Sequence, residues 1–159
     1  MRNEITSIVA GIREVLHGEP WFGRSVFSIL DEIHPALVFK KPNGDDAHSL
    51  IELLYHMNTW AEFTLRRIRK AQEPEVDTTE ARDWRQIDPL EHTWAKGLEE
   101  LRSLHDQIIS SLSEKEDEFL DEKVEYREYN FRFLLNGLIQ HNVYHLGQIA
   151  YVKKWLIPD

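Results

Sequence analysis

Two histidines four residues apart are the side chains of this sequence best suited to chemistry. They stand in the segment His141-Asn142-Val143-Tyr144-His145-Leu146-Gly147-Gln148, whose apolar spacing predicts a buried helix. Residues i and i+4 lie about 40° apart around a helix of roughly 3.6 residues per turn, so both imidazoles can face one point. Neutral imidazoles pack poorly in an apolar interior but bind transition metals well. The pair therefore predicts part of a metal site; the alternative is two core histidines hydrogen-bonded to Tyr, Asn or Gln neighbours.

A third imidazole on another helix completes this hypothesis. His56 lies inside the second long helical segment, at the edge of its apolar face. Three imidazoles leave open positions on a divalent ion, which is typical of a reactive site rather than a structural one. His48, near the start of the same helix, is the alternative third ligand. The other histidines are interpreted as surface, capping or solvated residues: His17, His34, His92 and His105.

The composition limits the classes of protein to consider. The chain has 159 residues, 42% hydrophobic and 30% charged, which predicts one soluble globular domain over residues 1–159. A net charge of −9 disfavours binding to nucleic acids and to anionic membranes. No apolar run approaches the roughly 20 residues that span a bilayer, so we predict a cytoplasmic protein. Because the sequence has no cysteine, a metal must be held by His, Asp or Glu, and a reacting thiol must come from outside.

Helical periodicity defines the elements that must position the three histidines. Asp88 and Pro89 suit the N-cap and first turn of the third long helix. Strand signals are weak, and a bundle interior is a usual place for a metal site, so we predict an all-α helix bundle. The long helices are predicted at residues 3–17, 47–71, 89–112 and 129–155, with a short helix at 25–33 and polar connections at 73–81 and 113–124.

Three stretches of the chain resemble the DinB-like family, also called DinB/YfiT-like metalloenzymes. They are Gly18-Glu19-Pro20-Trp21-Phe22-Gly23 followed by Ser28-Ile29-Leu30, then Ser49-Leu50-Ile51-Glu52-Leu53-Leu54-Tyr55-His56-Met57 with Trp60, and Leu138-Ile139-Gln140-His141-Asn142-Val143-Tyr144-His145-Leu146-Gly147-Gln148-Ile149. The resemblance implies metal ligands at His56, His141 and His145. It also implies a four-helix bundle of up-down-down-up type with a long connection between the second and third helices, and a homodimer.

The resemblance also suggests an activity. Characterised branches of the family are thiol transferases that use bacillithiol or mycothiol, one is a mycothiol-dependent isomerase, and many members are labelled only as metal-dependent hydrolases. We therefore predict a small-molecule S-transferase that activates a low-molecular-weight thiol. The alternatives are a hydrolase that uses metal-bound water and a non-enzymatic, stress-related bundle with a structural metal. By ligand type the metal is Zn or Ni, with Mn, Fe or Co also open.

Several neighbours could orient the ligands or line the pocket. Metal-bound imidazoles usually donate their second N–H to a carboxylate, amide or carbonyl, and the candidates are Glu52, Asn142 and Gln148. Asn142 stands where many relatives are expected to have Asp, which removes a carboxylate from this position. The aromatic residues are interpreted mainly as packing, with Tyr55 and Tyr144 as alternative proton donors and the indoles in the core or at the pocket mouth: Trp21, Trp60 and Trp94.

Overall fold

A computed structural model describes residues 3–71 and 79–157 of the chain. The described residues form six α-helices, two 3-10 turns and one short extended segment. In chain order these are α1 (Glu4–His17), α2 (Val26–Leu30), a 3-10 turn (Pro35–Leu37), β1 (Pro42–Asp45), α3 (Leu50–Ile68), α4 (Thr79–Arg82), α5 (Trp94–Ser113), a 3-10 turn (Asp117–Asp121) and α6 (Phe131–Leu156). None of these helices is both long enough and apolar enough to cross a bilayer.

The direction of α5 relative to α3 follows from two hydrogen bonds. The Tyr55 hydroxyl donates to the carbonyl of Thr93 over 3.1 Å, and the Asn58 amide donates to the carbonyl of Gly97 over 3.0 Å. Residue numbers therefore increase in the same direction along both helices, so α3 and α5 run parallel. Gly97 permits their close approach, because a Cβ there would lie 2.8 Å from a methyl group of Leu54.

The contacts of α6 define the rest of the bundle. Arg132 pairs with Glu4 at 2.7 Å, and further along the same two helices Ile139 packs against Gly11, so α6 runs parallel to α1. Against α3 the order is reversed: early residues of α3 share a pocket with late residues of α6, and late residues of α3 with early ones of α6. The predicted up-down-down-up bundle of four long helices is confirmed.

Side-chain caps determine where the long helices begin. Asn3 accepts a hydrogen bond from the Thr6 amide at the start of α1, and Asn130 caps α6 in the same way. At the start of α3, Ser49 and Glu52 form a reciprocal capping box, so this helix begins at Leu50, three residues later than predicted.

The predicted start of α5 is wrong. The carboxylate of Asp88 accepts from the amide of Leu90 and closes a local turn over Pro89 instead of capping a helix. Thr93 is the actual N-cap, since its hydroxyl accepts from the amide of Lys96. A side chain that can either cap a helix or close a turn does not by itself decide between the two.

Helix α3 is the central element of the core. Nearly all of its positions are buried, including Leu50, Leu54 and Met57, as expected for a helix surrounded by other helices. Trp94 is also buried, as predicted, and Trp60 is partly buried. Trp21 is fully exposed, so its predicted place in the core or at a pocket mouth is wrong. Because α3 is enclosed, a polar side chain on it, such as His56, must find its partners inside the protein.

Candidate metal centre

The three histidines of the sequence hypothesis meet in the bundle interior. Helix α3 contributes His56, and α6 contributes His141 and His145 from adjacent turns of one face. The Nε2 atom of His56 lies 3.0 Å from Nε2 of His141 and 2.9 Å from Nε2 of His145. His56 and His145 are 6% and 4% exposed, and His141 is half-buried. Three nitrogen atoms from two helices therefore point at one small volume.

The outer nitrogens of two rings fix which tautomer is present. Nδ1 of His56 lies 2.7 Å from a carboxylate oxygen of Asp83, and Nδ1 of His145 lies 2.6 Å from the side-chain carbonyl oxygen of Gln148. Both partners only accept hydrogen bonds through these oxygens, so each Nδ1 carries the proton. The Nε2 atoms of these rings therefore present lone pairs to the centre of the cluster.

This arrangement of lone pairs is suited to binding a cation. His56 and His145 bring two Nε2 lone pairs within 2.9 Å of each other with no proton to place between them. Burial lowers the pKa of His56 even though Asp83 opposes the shift. Burial and the neighbouring imidazoles lower the pKa of His141 to about 3 and that of His145 to about 4. At neutral pH the rings are therefore neutral. No proton supplies a positive charge between the facing lone pairs.

A metal ion fits this donor set. Metal–imidazole bonds of about 2.0–2.1 Å place two nitrogen ligands of one ion roughly 2.9–3.4 Å apart. The separations from His56 to the other two rings, 3.0 and 2.9 Å, lie at the lower end of that range. His56, His141 and His145 are also the group whose ligand atoms all lie within 4.8 Å of one another. The cluster could therefore hold a metal through three neutral imidazoles.

His141 is held differently from the other two histidines. Its Nδ1 atom is buried and has no hydrogen-bond partner among the described residues. Its orientation therefore depends on packing, including the edge-to-face contact with His145 at 4.3 Å between ring centroids. The site thus combines two imidazoles anchored by hydrogen bonds with one held by packing.

An indole covers one side of the cluster. Trp84 stacks on His56 with 4.0 Å between ring centroids and an interplanar angle of 8°. The outer face of the indole stacks on His48 at 3.6 Å. Trp84 therefore stands between His48 and the cluster, so the structure brings His56 to the centre and excludes the alternative third ligand.

Of the three residues expected to orient the ligands, only Gln148 contacts one of them. Glu52 belongs to the capping box at the start of α3, where its carboxylate accepts from the backbone N–H and the hydroxyl of Ser49, and it also lies 3.4 Å from Lys41. Asn142 points towards α5, where its amide donates to Nε2 of His105 over 3.0 Å. Glu52 and Asn142 were therefore wrong candidates for this role.

The two tyrosines predicted as alternative proton donors lie outside the cluster, and one histidine predicted to be solvated is part of the core. The Tyr55 hydroxyl is engaged with a backbone carbonyl, and Tyr144 is 65% exposed. His105 is 1% exposed, so its predicted solvation is wrong. This ring is tolerated in the core because Nδ1 donates to the carbonyl of Leu101 and Nε2 accepts from Asn142.

The sequence analysis missed Asp83 and Trp84. Both follow α4 in the connection between α3 and α5, and Asp83 is 27 residues from His56. Asp83 also accepts a hydrogen bond of 2.6 Å from the indole nitrogen of Trp60, so one carboxylate oxygen fixes two side chains of α3. The adjacent acid and indole, Asp83-Trp84, were the available signal, but helical periodicity does not place a residue in such a connection.

Comparison with known proteins finds a matching family model. A family model described as the DinB superfamily matches residues 23–149. That range contains all three histidines and Asp83. Comparison with curated proteins finds no match, and comparison with solved structures finds none either.

Proposed function

This chain belongs to the DinB superfamily, and from that membership we propose that it is a metal-dependent S-transferase acting on a small molecule. In this proposal His56, His141 and His145 bind one divalent cation, Zn or Ni by ligand type, with Mn, Fe or Co as further options. The co-substrate is a low-molecular-weight thiol, and the substrate is an electrophile.

One observation supports the metal site above all others. His56 and His145 direct two Nε2 lone pairs at each other across 2.9 Å, because Asp83 and Gln148 hold the protons on the opposite nitrogens. Without a cation this contact is repulsive. An interior that only needed to be filled would place apolar side chains here, since such a cluster of imidazoles adds desolvation without a compensating bond.

The residues of the chain prepare the site in distinct ways. When bound, a divalent cation supplies a positive charge that lowers the pKa of a thiol, so that thiolate is available at neutral pH. Asp83 orients the His56 ring and increases its basicity by accepting from Nδ1. Gln148 does the same for His145 without adding a charge. Trp84 covers the face of His56 and excludes water from that side.

One feature of the site favours thiol transfer over hydrolysis. The absence of cysteine does not distinguish the two, because a thiol would enter with a co-substrate and a hydrolase would use metal-bound water. Asp83, the carboxylate in contact with the cluster, is engaged by both His56 and Trp60. Both contacts use the same oxygen, Oδ1, so this atom positions side chains and does not act as a general base that would activate water.

The test is product analysis with and without thiol. We expect metal-loaded protein incubated with a test electrophile and a low-molecular-weight thiol to give the thiol conjugate, detected by mass spectrometry. His56→Ala should abolish the conjugate, whereas His34→Ala, at an exposed histidine of the Pro35–Leu37 turn, should not. A hydrolysed product that forms without thiol would favour the hydrolase. Metal binding without turnover, combined with unfolding on chelation, would indicate a structural site.

A further inference from the structure

An apolar cleft opens beside the histidine cluster, between the second half of α3 and the first half of α6. Its volume is about 260 Å³. His141 stands at this cleft and also belongs to the metal cluster, so the two features share a wall. The lining side chains that matter for the argument are Trp60, Thr64, Phe133, Leu134, Gly137 and His141.

The polar atoms of the α3 wall are engaged elsewhere. The indole N–H of Trp60 donates to Asp83 over 2.6 Å, and the Thr64 hydroxyl donates to the carbonyl of Trp60 over 2.9 Å. These residues therefore offer the cleft their ring and methyl surfaces rather than hydrogen bonds. No carboxylate, lysine or arginine is among its lining residues in the described part of the chain. Such a surface favours a neutral, apolar ligand and disfavours a charged one.

Glycine at position 137 keeps the cleft open. A Cβ placed on Gly137 would meet no atom within 4 Å, so nothing in the packing requires a glycine there. Glycine is also unfavourable inside a helix relative to Ala or Leu. What distinguishes position 137 is that it lines the cleft, where the absence of a side chain leaves this volume unfilled.

We propose that this cleft binds the apolar portion of a neutral substrate, an aromatic ring or a branched alkyl group of similar size. A cavity of about 150 Å³ is large enough for benzene, so 260 Å³ accommodates a substituted or fused ring. A ligand seated there directs its remaining atoms towards His141. The inference rests on the proposed function, because it assigns a substrate class to that same site.

The test is direct binding of a neutral fluorescent probe, N-phenyl-1-naphthylamine, to the full chain after removal of metal. We expect saturable binding to the wild-type protein. Gly137→Leu should weaken it at least tenfold, because the new side chain fills the cleft and suits the helix. Gly147→Leu is the matched control on α6: position 147 is exposed, has no atom within 4 Å of a Cβ and does not line the cleft. Its affinity should stay within twofold of wild type.

A second variant and a charged competitor test the cleft without depending on the folding of Gly137→Leu. Phe133 is 66% exposed, so Phe133→Ala removes a wall of the cleft with little effect on the core, and we expect severalfold weaker probe binding. Naphthalene-2-sulfonate should displace the probe less effectively than naphthalene does. Equal affinity of Gly137→Leu and wild type, or no saturable binding to wild type, would overturn the proposal. Loss of probe binding as the chain dimerises at higher concentration would overturn it as well, by showing that a second copy occupies the cleft.

Metal uptake by the same variants separates this inference from the proposed function. Gly137→Leu should still bind metal, because position 137 is not one of the three ligands and no atom lies within 4 Å of a Cβ there. Probe binding without any metal binding would contradict the proposed function and leave the cleft assignment supported. Metal binding without probe binding would contradict the cleft assignment and leave the metal site of the proposed function supported.

Discussion

Removing the carboxylate of Asp83 is expected to weaken metal binding about 10- to 100-fold. One oxygen of Asp83 accepts from Nδ1 of His56 at 2.7 Å and from the indole of Trp60 at 2.6 Å. A hydrogen bond to a charged group contributes roughly 1.5–3 kcal/mol, which corresponds to about 10- to 150-fold in an equilibrium constant. Partners of this kind typically change metal affinity by about 10- to 100-fold. Because the Asp83 side chain is 25% exposed, the lower half of the range is expected.

The matched variants are Asp83→Ala and Asp83→Asn, titrated with Zn²⁺ by calorimetry after chelation. Asparagine keeps an acceptor oxygen but loses the charge that makes such bonds about twice as strong, so we expect a reduction of about 3- to 10-fold. Asp31→Ala removes an exposed carboxylate paired with Arg102 and should leave affinity unchanged. Zn²⁺ affinity of Asp83→Ala within twofold of wild type would refute the view that this residue positions His56.

Two further predictions concern pH. Between pH 7 and pH 5 a site of three ordinary histidines, each with a pKa of about 6.5, would lose roughly 15,000-fold in affinity. His141 and His145, with pKa values of about 3 and about 4, should together cause less than a twofold loss, so calorimetric weakening above a thousandfold between pH 7 and pH 5 would contradict the site. For His105, burial lowers the pKa from 6.5 to about 4 in the folded protein. The unfolded chain therefore takes up a proton that the folded chain does not, and stability falls as pH falls below 6.5, by roughly 2 kcal/mol at pH 5. Urea unfolding of metal-free His105→Gln should show a correspondingly smaller change between pH 7 and pH 5, and an identical change would contradict this.

Helical periodicity predicted the long helices because each has one continuous apolar face. The stripe that includes Leu138, His141, His145 and Ile149 placed two imidazoles on one side of α6 before any contact was known. The order and directions of the helices came from the resemblance to the DinB-like family, since the apolar faces of four helices are compatible with several topologies. The homodimer stays a prediction.

The residues that orient the cluster were harder to predict from the sequence. Gln148 is one turn from His145 on the same helix, so local spacing was sufficient to propose it. Asp83 reaches His56 from a connection 27 residues away, where no periodic pattern constrains the chain. His105 and Asn142 form a buried polar pair between α5 and α6. His105 was predicted to be solvated and Asn142 to orient a metal ligand, and only their contact explains why both are buried.

The most direct test of the central claim is metal stoichiometry in solution. Chelator-stripped protein titrated with Zn²⁺ should bind one ion per chain, and its helicity should be retained in the metal-free state. His56→Ala, His141→Ala and His145→Ala should each lose most of this binding, whereas His34→Ala should keep it. Absence of stoichiometric binding by the wild-type chain, or undiminished binding by His56→Ala, would contradict the three-histidine site.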